Sequence, residues 1–221
     1  MKKQVDISSF YDNWALNYDQ DIMSKPWHVF DKKSINSMLD YNITSIIDIG
    51  SGTGRLLPEL HKINIKKYFF IEQSIQMSII LKKKAEEYDN IECKYFNELS
   101  EINNLSTLNI DFCLLAYSIS HFKKLTELNR IMGSVKYIMI LLRNPDIHLI
   151  RKSEDDAHYV KNKEGYLLKD YYHSLGKIIT FFKKNNYRLN NISEFEGTIK
   201  LKSEVSINLI TNYCLFFEKN C

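Results

Sequence analysis

The stretch Ser45-Ile-Ile-Asp-Ile-Gly-Ser-Gly-Thr-Gly-Arg-Leu-Leu-Pro-Glu-Leu60 places three of the chain's seven glycines within five positions. Glycine costs backbone entropy, so such a cluster marks either positive φ or a close approach of another molecule to the backbone. A short β-branched run precedes the glycines and a leucine-spaced segment follows them, so the cluster reads as a strand-to-helix turn. At that place in an α/β sheet, backbone N–H groups are free to meet an anionic or nucleotide-like ligand. A tight turn against a packed helix would use the same glycines.

Working outward, strand and helix patterns alternate. "KYFFIE" (67–72) reads as a strand, "IQMSIILKKKAEEY" (75–88) as an amphipathic helix, and "IECKYF", "IDFCLLAYSI" and "KYIMILLR" as further strands, with helical spacing in "LTELNRIMGSV". Five near-continuous apolar strands with helices between them predict a parallel sheet covered on both faces. Beyond Pro145 the sequence turns polar and tyrosine-rich with little periodicity. "LGKIITFFKKNNY" then reads as a helix, and "RLNNISEF" and "NYCLFFEK" as two closing strands.

The spacing of the glycines narrows the ligand. A phosphate-binding loop needs lysine and a hydroxyl residue where Arg55 and Leu56 stand, and a dinucleotide fingerprint needs a third glycine at the position of Arg55. Glu72 ends the second strand 22 residues after Gly50. A carboxylate there can accept two hydrogen bonds from ribose hydroxyls. Strand, G-x-G-x-G turn, helix, strand and terminal acid together are far more specific than any one of them.

Composition sets the remaining bounds. With 221 residues, 44% hydrophobic and 26% charged, the chain suits one globular domain, and a net charge of +3 argues against a nucleic-acid coat. The N-terminus lacks the uninterrupted apolar region of a secretory signal and no window approaches a spanning helix, so a cytoplasmic protein is expected. Cys93, Cys113, Cys214 and Cys221 lack metal or disulfide spacing, and no metal site is expected.

"DIGSGTG" (48–54), "IEQSIQMSIILKKKAEE" (71–87) and "IDFCLLAYSISHF" (110–122) resemble the class I S-adenosylmethionine-dependent methyltransferases, most closely their small-molecule branch, the methyltransferase type 11 group. The resemblance implies a Rossmann-like, seven-stranded, mostly parallel sheet with an antiparallel C-terminal hairpin strand. It implies S-adenosylmethionine as cofactor, S-adenosylhomocysteine as product and a small-molecule methyl acceptor. Asp48, Gly50, Ser51, Gly52 and Gly54 would form the cofactor loop, Glu72 would hold the ribose, and Gln73 and Met77 would lie near the adenine. Family members carry an aspartate after the third strand; "KYFNELS" offers Asn97 or Glu98 there. Ala116 and Tyr117 would also line the cofactor, and they begin the "AYSI" that stands where base-modifying relatives carry an NPPY-type tetrapeptide, which makes nucleic acid a poor acceptor. Tyr11, Trp14 and Tyr18, in "FYDNWALNYDQD", would close over the cofactor. His121 and His173 match recurrent family histidines, and imidazole suits proton removal near neutral pH; each would equally serve as a packing or helix-start residue.

The expected organisation is one methyltransferase domain: a helical lid over 1–40, a cofactor half over 41–145, an acceptor-binding insert over 146–180, and a closing helix and strands over 181–221. It would act as a monomer or homodimer. The open alternatives are a protein, peptide or RNA methyltransferase and a non-catalytic nucleotide-binding protein on the same fold, with a dinucleotide-dependent dehydrogenase the weakest rival.

Overall fold

The β-branched run at 45–49 lies at the heart of a sheet. A computed structural model of the chain describes residues 3–102, 105–147, 157–161, 165–200 and 206–220. Its strands are β1 (Lys3–Val5), β2 (Ser45–Ile49), β3 (Lys67–Ile71), β4 (Glu92–Phe96), β5 (Ile110–Ala116), β6 (Val135–Arg143), β7 (Ala157–Lys161), β8 (Tyr166–Tyr171), β9 (Tyr187–Lys200) and β10 (Ser206–Lys219). The helices are α1 (Ile7–Asp12), α2 (Ala15–Met23), α3 (Trp27–Asn36), α4 (Leu57–Lys62), α5 (Ile75–Ala85) and α6 (Leu175–Lys184). Seven strands form one sheet in the order β4-β3-β2-β5-β6-β10-β9. Strands β2 to β6 pair in parallel, and β10 runs antiparallel to both β6 and β9. This is the doubly covered sheet and antiparallel closing hairpin read from the sequence.

Strand pleat divides the core. In β2, Ile47 and Ile49 point to the face packed by α6, where Ile178 and Phe182 are buried; Ile46 joins Leu57, Leu60 and Leu81 of α4 and α5 on the other. All five residues of β2 are buried, because a central parallel strand has no solvent face. Ser74 begins α5 by accepting the Met77 N–H at 3.1 Å, which fixes the helix start two residues beyond Glu72.

Two expectations needed revision. "LTELNRIMGSV" forms a short 3₁₀ segment over Leu125–Arg130 rather than an α-helix. The aperiodic stretch after Pro145 contains a hairpin, β7–β8, and β1 pairs in parallel with β8 to make a separate sheet of order β1-β8-β7. Part of the insert expected over 146–180, residues 148–156 and 162–164, lies outside the described residues, as does Cys221.

Asp48 carries a consequence for stability. It is buried, accepts the Tyr68 hydroxyl at 2.7 Å through Oδ2, and its Oδ1 has no partner among the described residues. Burial pushes its pKa up to about 7 against the opposing hydrogen bond from Tyr68. The folded state therefore holds a proton that the unfolded chain releases near pH 4, so this contribution to stability is complete below that pH and is lost as pH rises toward 7. An Asp48→Asn protein should gain on the wild type across that window, by on the order of 4 kcal/mol at its upper end. His28, held down to about 4 by burial and Arg55, slopes the other way but is common to both proteins and cancels in the difference. Urea midpoints measured from pH 4 to 8 check this; a gap that does not change with pH would contradict it.

Candidate functional site

The chain leaves β2 into the glycine loop. The Gly50 and Ser51 N–H groups donate to the Ile71 carbonyl at 2.9 and 3.1 Å, tying the loop to the end of β3. The Gly52 N–H donates to Glu72 Oε2 at 2.7 Å and the Ser74 N–H to Glu72 Oε1 at 2.8 Å. Glu72 therefore braces the loop and the start of α5 while each oxygen keeps a further lone pair. Burial raises its pKa, and the two N–H groups oppose that rise. At Gly54, φ is +69° and a Cβ would overlap Leu81 Cδ1. At Gly52, φ is +57° but a Cβ would meet nothing nearer than Tyr18 Cε1 at 3.9 Å. Gly54 is thus demanded by packing, whereas Gly52 opens onto space.

That space is a cavity of about 400 Å³ at the carboxyl edge of the sheet, walled by Gly50, Gly52, Glu72, Gln73, Glu98, Ala116, Tyr117, Tyr11 and Tyr18 among others. Six residues predicted for the cofactor stand outside its wall, Trp14 among them. Asp48 is buried behind the loop, and Ser51 bonds to its carbonyl at 2.8 Å. Gly54 packs on α5; Met77 is fully buried under that helix; the Asn97 N–H and side chain are held by Glu101. Of the pair Asn97 and Glu98, Glu98 is the one on the cavity.

The first three helices form the roof. Asp12 accepts the Ser74 hydroxyl at 2.6 Å and the Gln76 N–H at 3.0 Å. Asp19 binds Thr53 of the loop and Lys84 of α5. Arg55, which the sequence marked only as a departure from the dinucleotide pattern, is buried and pairs with Asp31 of α3 at 2.8 Å. Asp31 also accepts the Tyr117 hydroxyl at 2.7 Å, so the lid, the glycine loop and the end of β5 share one network.

A second cavity, about 120 Å³, lies between the lid and β8 and includes Trp14, Trp27, Tyr171, Tyr172, Arg143, Asp170 and His173 in its wall. Trp14 faces this cavity and not the first. Tyr11, Tyr18, Tyr117 and His121 line both. His173 has its Nε2–H donated to the Phe122 carbonyl at 2.7 Å. His121 sits at the seam: its Nδ1 is 2.7 Å from Asp170 Oδ1, and its Nε2 is 2.9 Å from the Tyr11 hydroxyl. A carboxylate accepts only, which places the imidazole proton on Nδ1 and leaves Nε2 to accept. Burial holds the Tyr11 phenol well above its ordinary pKa, so it stays a donor. Asp170 escaped sequence reading because it belongs to the aperiodic insert and meets His121 across 49 residues. Among the described residues, no group of three His, Cys, Asp or Glu could hold a metal ion, and no helix is long and apolar enough to cross a membrane.

No family model matches the chain. It is 23% identical over 150 residues to the valine–tRNA ligase of Onion yellows phytoplasma (strain OY-M), a match covering 66% of this chain and 16% of that protein, so the chain spans a small part of that relative's length. Among solved structures it is similar to an S-adenosylmethionine-dependent methyltransferase from Clostridium acetobutylicum, at 13% identity and a TM-score of 0.66, covering 96% of this chain and 99% of the other. It is also similar to magnesium protoporphyrin IX methyltransferase from Synechocystis with bound S-adenosylhomocysteine, at 11% identity and 0.64, covering 97% and 98%. The chain has the class I S-adenosylmethionine-dependent methyltransferase fold.

Proposed function

We propose that the protein is an enzyme that transfers a methyl group from S-adenosylmethionine to a small-molecule acceptor, with His121 as base. The observation that carries this reading is the pair of adjoining cavities sharing Tyr11, Tyr18, Tyr117 and His121. The first suits the cofactor: Gly52 admits close approach to the backbone, Glu72 has lone pairs to spare for ribose hydroxyls, and Gln73 and Glu98 stand where an adenine amino group would lie. When bound, S-adenosylmethionine supplies a methyl activated by its sulfonium, which leaves with the bonding pair retained on sulfur. The chain's own residues then have three tasks. The lid excludes water, the shared aromatic rings hold the acceptor against the first cavity, and His121 takes the acceptor's proton by way of the Tyr11 hydroxyl, which hands its own proton to Nε2 as it receives the acceptor's. Positioning of this kind is worth several kcal/mol.

Asp170 fixes the imidazole so that Nε2 faces the seam and stabilises the charge gained there. His173, with its Nε2–H engaged by a carbonyl, serves the wall of the acceptor cavity. The roofed geometry favours a small molecule over a polymer. Incubating a metabolite extract with the protein and methyl-labelled S-adenosylmethionine should label one or a few small molecules. With that acceptor, His121→Gln should lower turnover by about a hundredfold or more while S-adenosylhomocysteine affinity stays within about threefold. Label appearing in protein or RNA alone would overturn the small-molecule reading, and an unchanged rate across pH 6 to 9 would remove the base.

A further inference from the structure

We infer that the acceptor is a single-ring aromatic acid bearing a hydroxyl group, its ring between the aromatic walls of the second cavity and its carboxylate on Arg143. The inference rests on the methyl-transfer reading above and names the substrate class of the same site. Three observations carry it. The second cavity has about 120 Å³ against about 400 Å³ in the first, under a third of the room assigned to nucleoside and amino acid together. That volume suits one substituted ring better than a macrocycle.

Aromatic rings make up much of the wall, and they pack on one another. The Trp27 and Tyr117 centroids lie 4.9 Å apart, and Trp14 stacks on Tyr11 at 6.3 Å with planes 14° apart. The polar ends of two of these rings are engaged elsewhere: the Tyr117 hydroxyl donates to Asp31, and Trp14 Nε1–H to Asp21 at 2.8 Å. The Arg55 guanidinium lies over the Trp27 and Tyr117 rings, so what the aromatic wall offers a ligand is ring edges and the remaining apolar surface, which suit an edge-on aromatic partner.

The cavity also presents two kinds of polar group. The Tyr11 hydroxyl and His121 stand on the seam with the cofactor cavity, where an acceptor hydroxyl would be deprotonated. Arg143, at the end of β6, is exposed, and among the described residues its guanidinium has no hydrogen-bond or ion-pair partner; it is the one Arg or Lys in the cavity's wall. The Asp170 carboxylate is turned to His121, whose Nδ1–H it accepts. A planar guanidinium fits a carboxylate bidentately.

The test is calorimetry on the protein saturated with S-adenosylhomocysteine, which reads binding without turnover. The probes are the three monohydroxybenzoates, benzoate, phenol and protoporphyrin. At least one hydroxybenzoate should bind about tenfold or more tightly than phenol or benzoate, each of which lacks one of the two recognised groups. Arg143→Gln should weaken that hydroxybenzoate by about tenfold or more and move phenol by less than about threefold. Protoporphyrin binding more tightly than every hydroxybenzoate, or an Arg143→Gln protein with unchanged hydroxybenzoate affinity, would overturn the inference while saturable S-adenosylhomocysteine binding keeps the methyl-transfer reading. Failure of S-adenosylhomocysteine itself to bind would bring down both.

Discussion

A Gly52→Val protein is expected to fold and to bind S-adenosylhomocysteine at least about a hundredfold more weakly than the wild type, a loss near 3 kcal/mol. A Cβ at this position enters the cavity rather than the core, since its nearest neighbour would be Tyr18 Cε1 at 3.9 Å. The fold bears only the cost of a left-handed non-glycine residue, about 1–2 kcal/mol. Gly54→Val is the contrast. Its side chain would collide with Leu81, a fully buried residue of α5, adding about 1–3 kcal/mol of overpacking to the same backbone strain. Thermal melts should rank Gly54→Val well below Gly52→Val, and titrations should rank Gly52→Val last in affinity among folded variants. Unchanged affinity in a folded Gly52→Val protein would mean that the loop is only a tight turn.

The second large effect is expected at Glu72. Glu72→Ala should weaken S-adenosylhomocysteine by one to two orders of magnitude, the worth of about one hydrogen bond to a charged acceptor, about 1.5–3 kcal/mol. The structure adds a sharper expectation. Both carboxylate oxygens accept backbone N–H groups, from Gly52 and Ser74. A glutamine has one acceptor oxygen, and its amide would set an N–H against an N–H at the other position. Glu72→Gln should therefore recover little of the loss despite its nearly identical shape. A shift below about threefold for either variant, under about 0.7 kcal/mol, would remove Glu72 from the ribose site.

The segment from Ser45 to Glu72 was legible because its signals are local. A β-branched strand, glycines at fixed offsets and a strand-ending acid all lie within one β-α-β unit. The closing hairpin was legible for the same reason. What stayed hidden depends on contacts distant in sequence. Strand β1 has three residues and pairs with Tyr166–Leu168, which no periodicity can announce. Arg55 reads as an anomaly until Asp31 of α3 is seen beside it. The family pattern set Met77 near the adenine, yet on α5 it shares a buried stripe with Leu81, and the neighbouring Gln73 faces the cavity instead. The pairing of His121 with Asp170 needed the insert to fold back over the sheet edge before a base with an orienting carboxylate could be recognised.

The central claim is that the cavity above the glycine loop is a site for S-adenosylmethionine. Calorimetric titration of the wild-type protein with S-adenosylhomocysteine, followed by NAD, tests it most directly. The account predicts one saturable site for S-adenosylhomocysteine in the micromolar range or tighter, about −8 kcal/mol or better, and no competition from NAD. A folded protein that binds NAD, or that shows no saturable heat with S-adenosylhomocysteine, would contradict it.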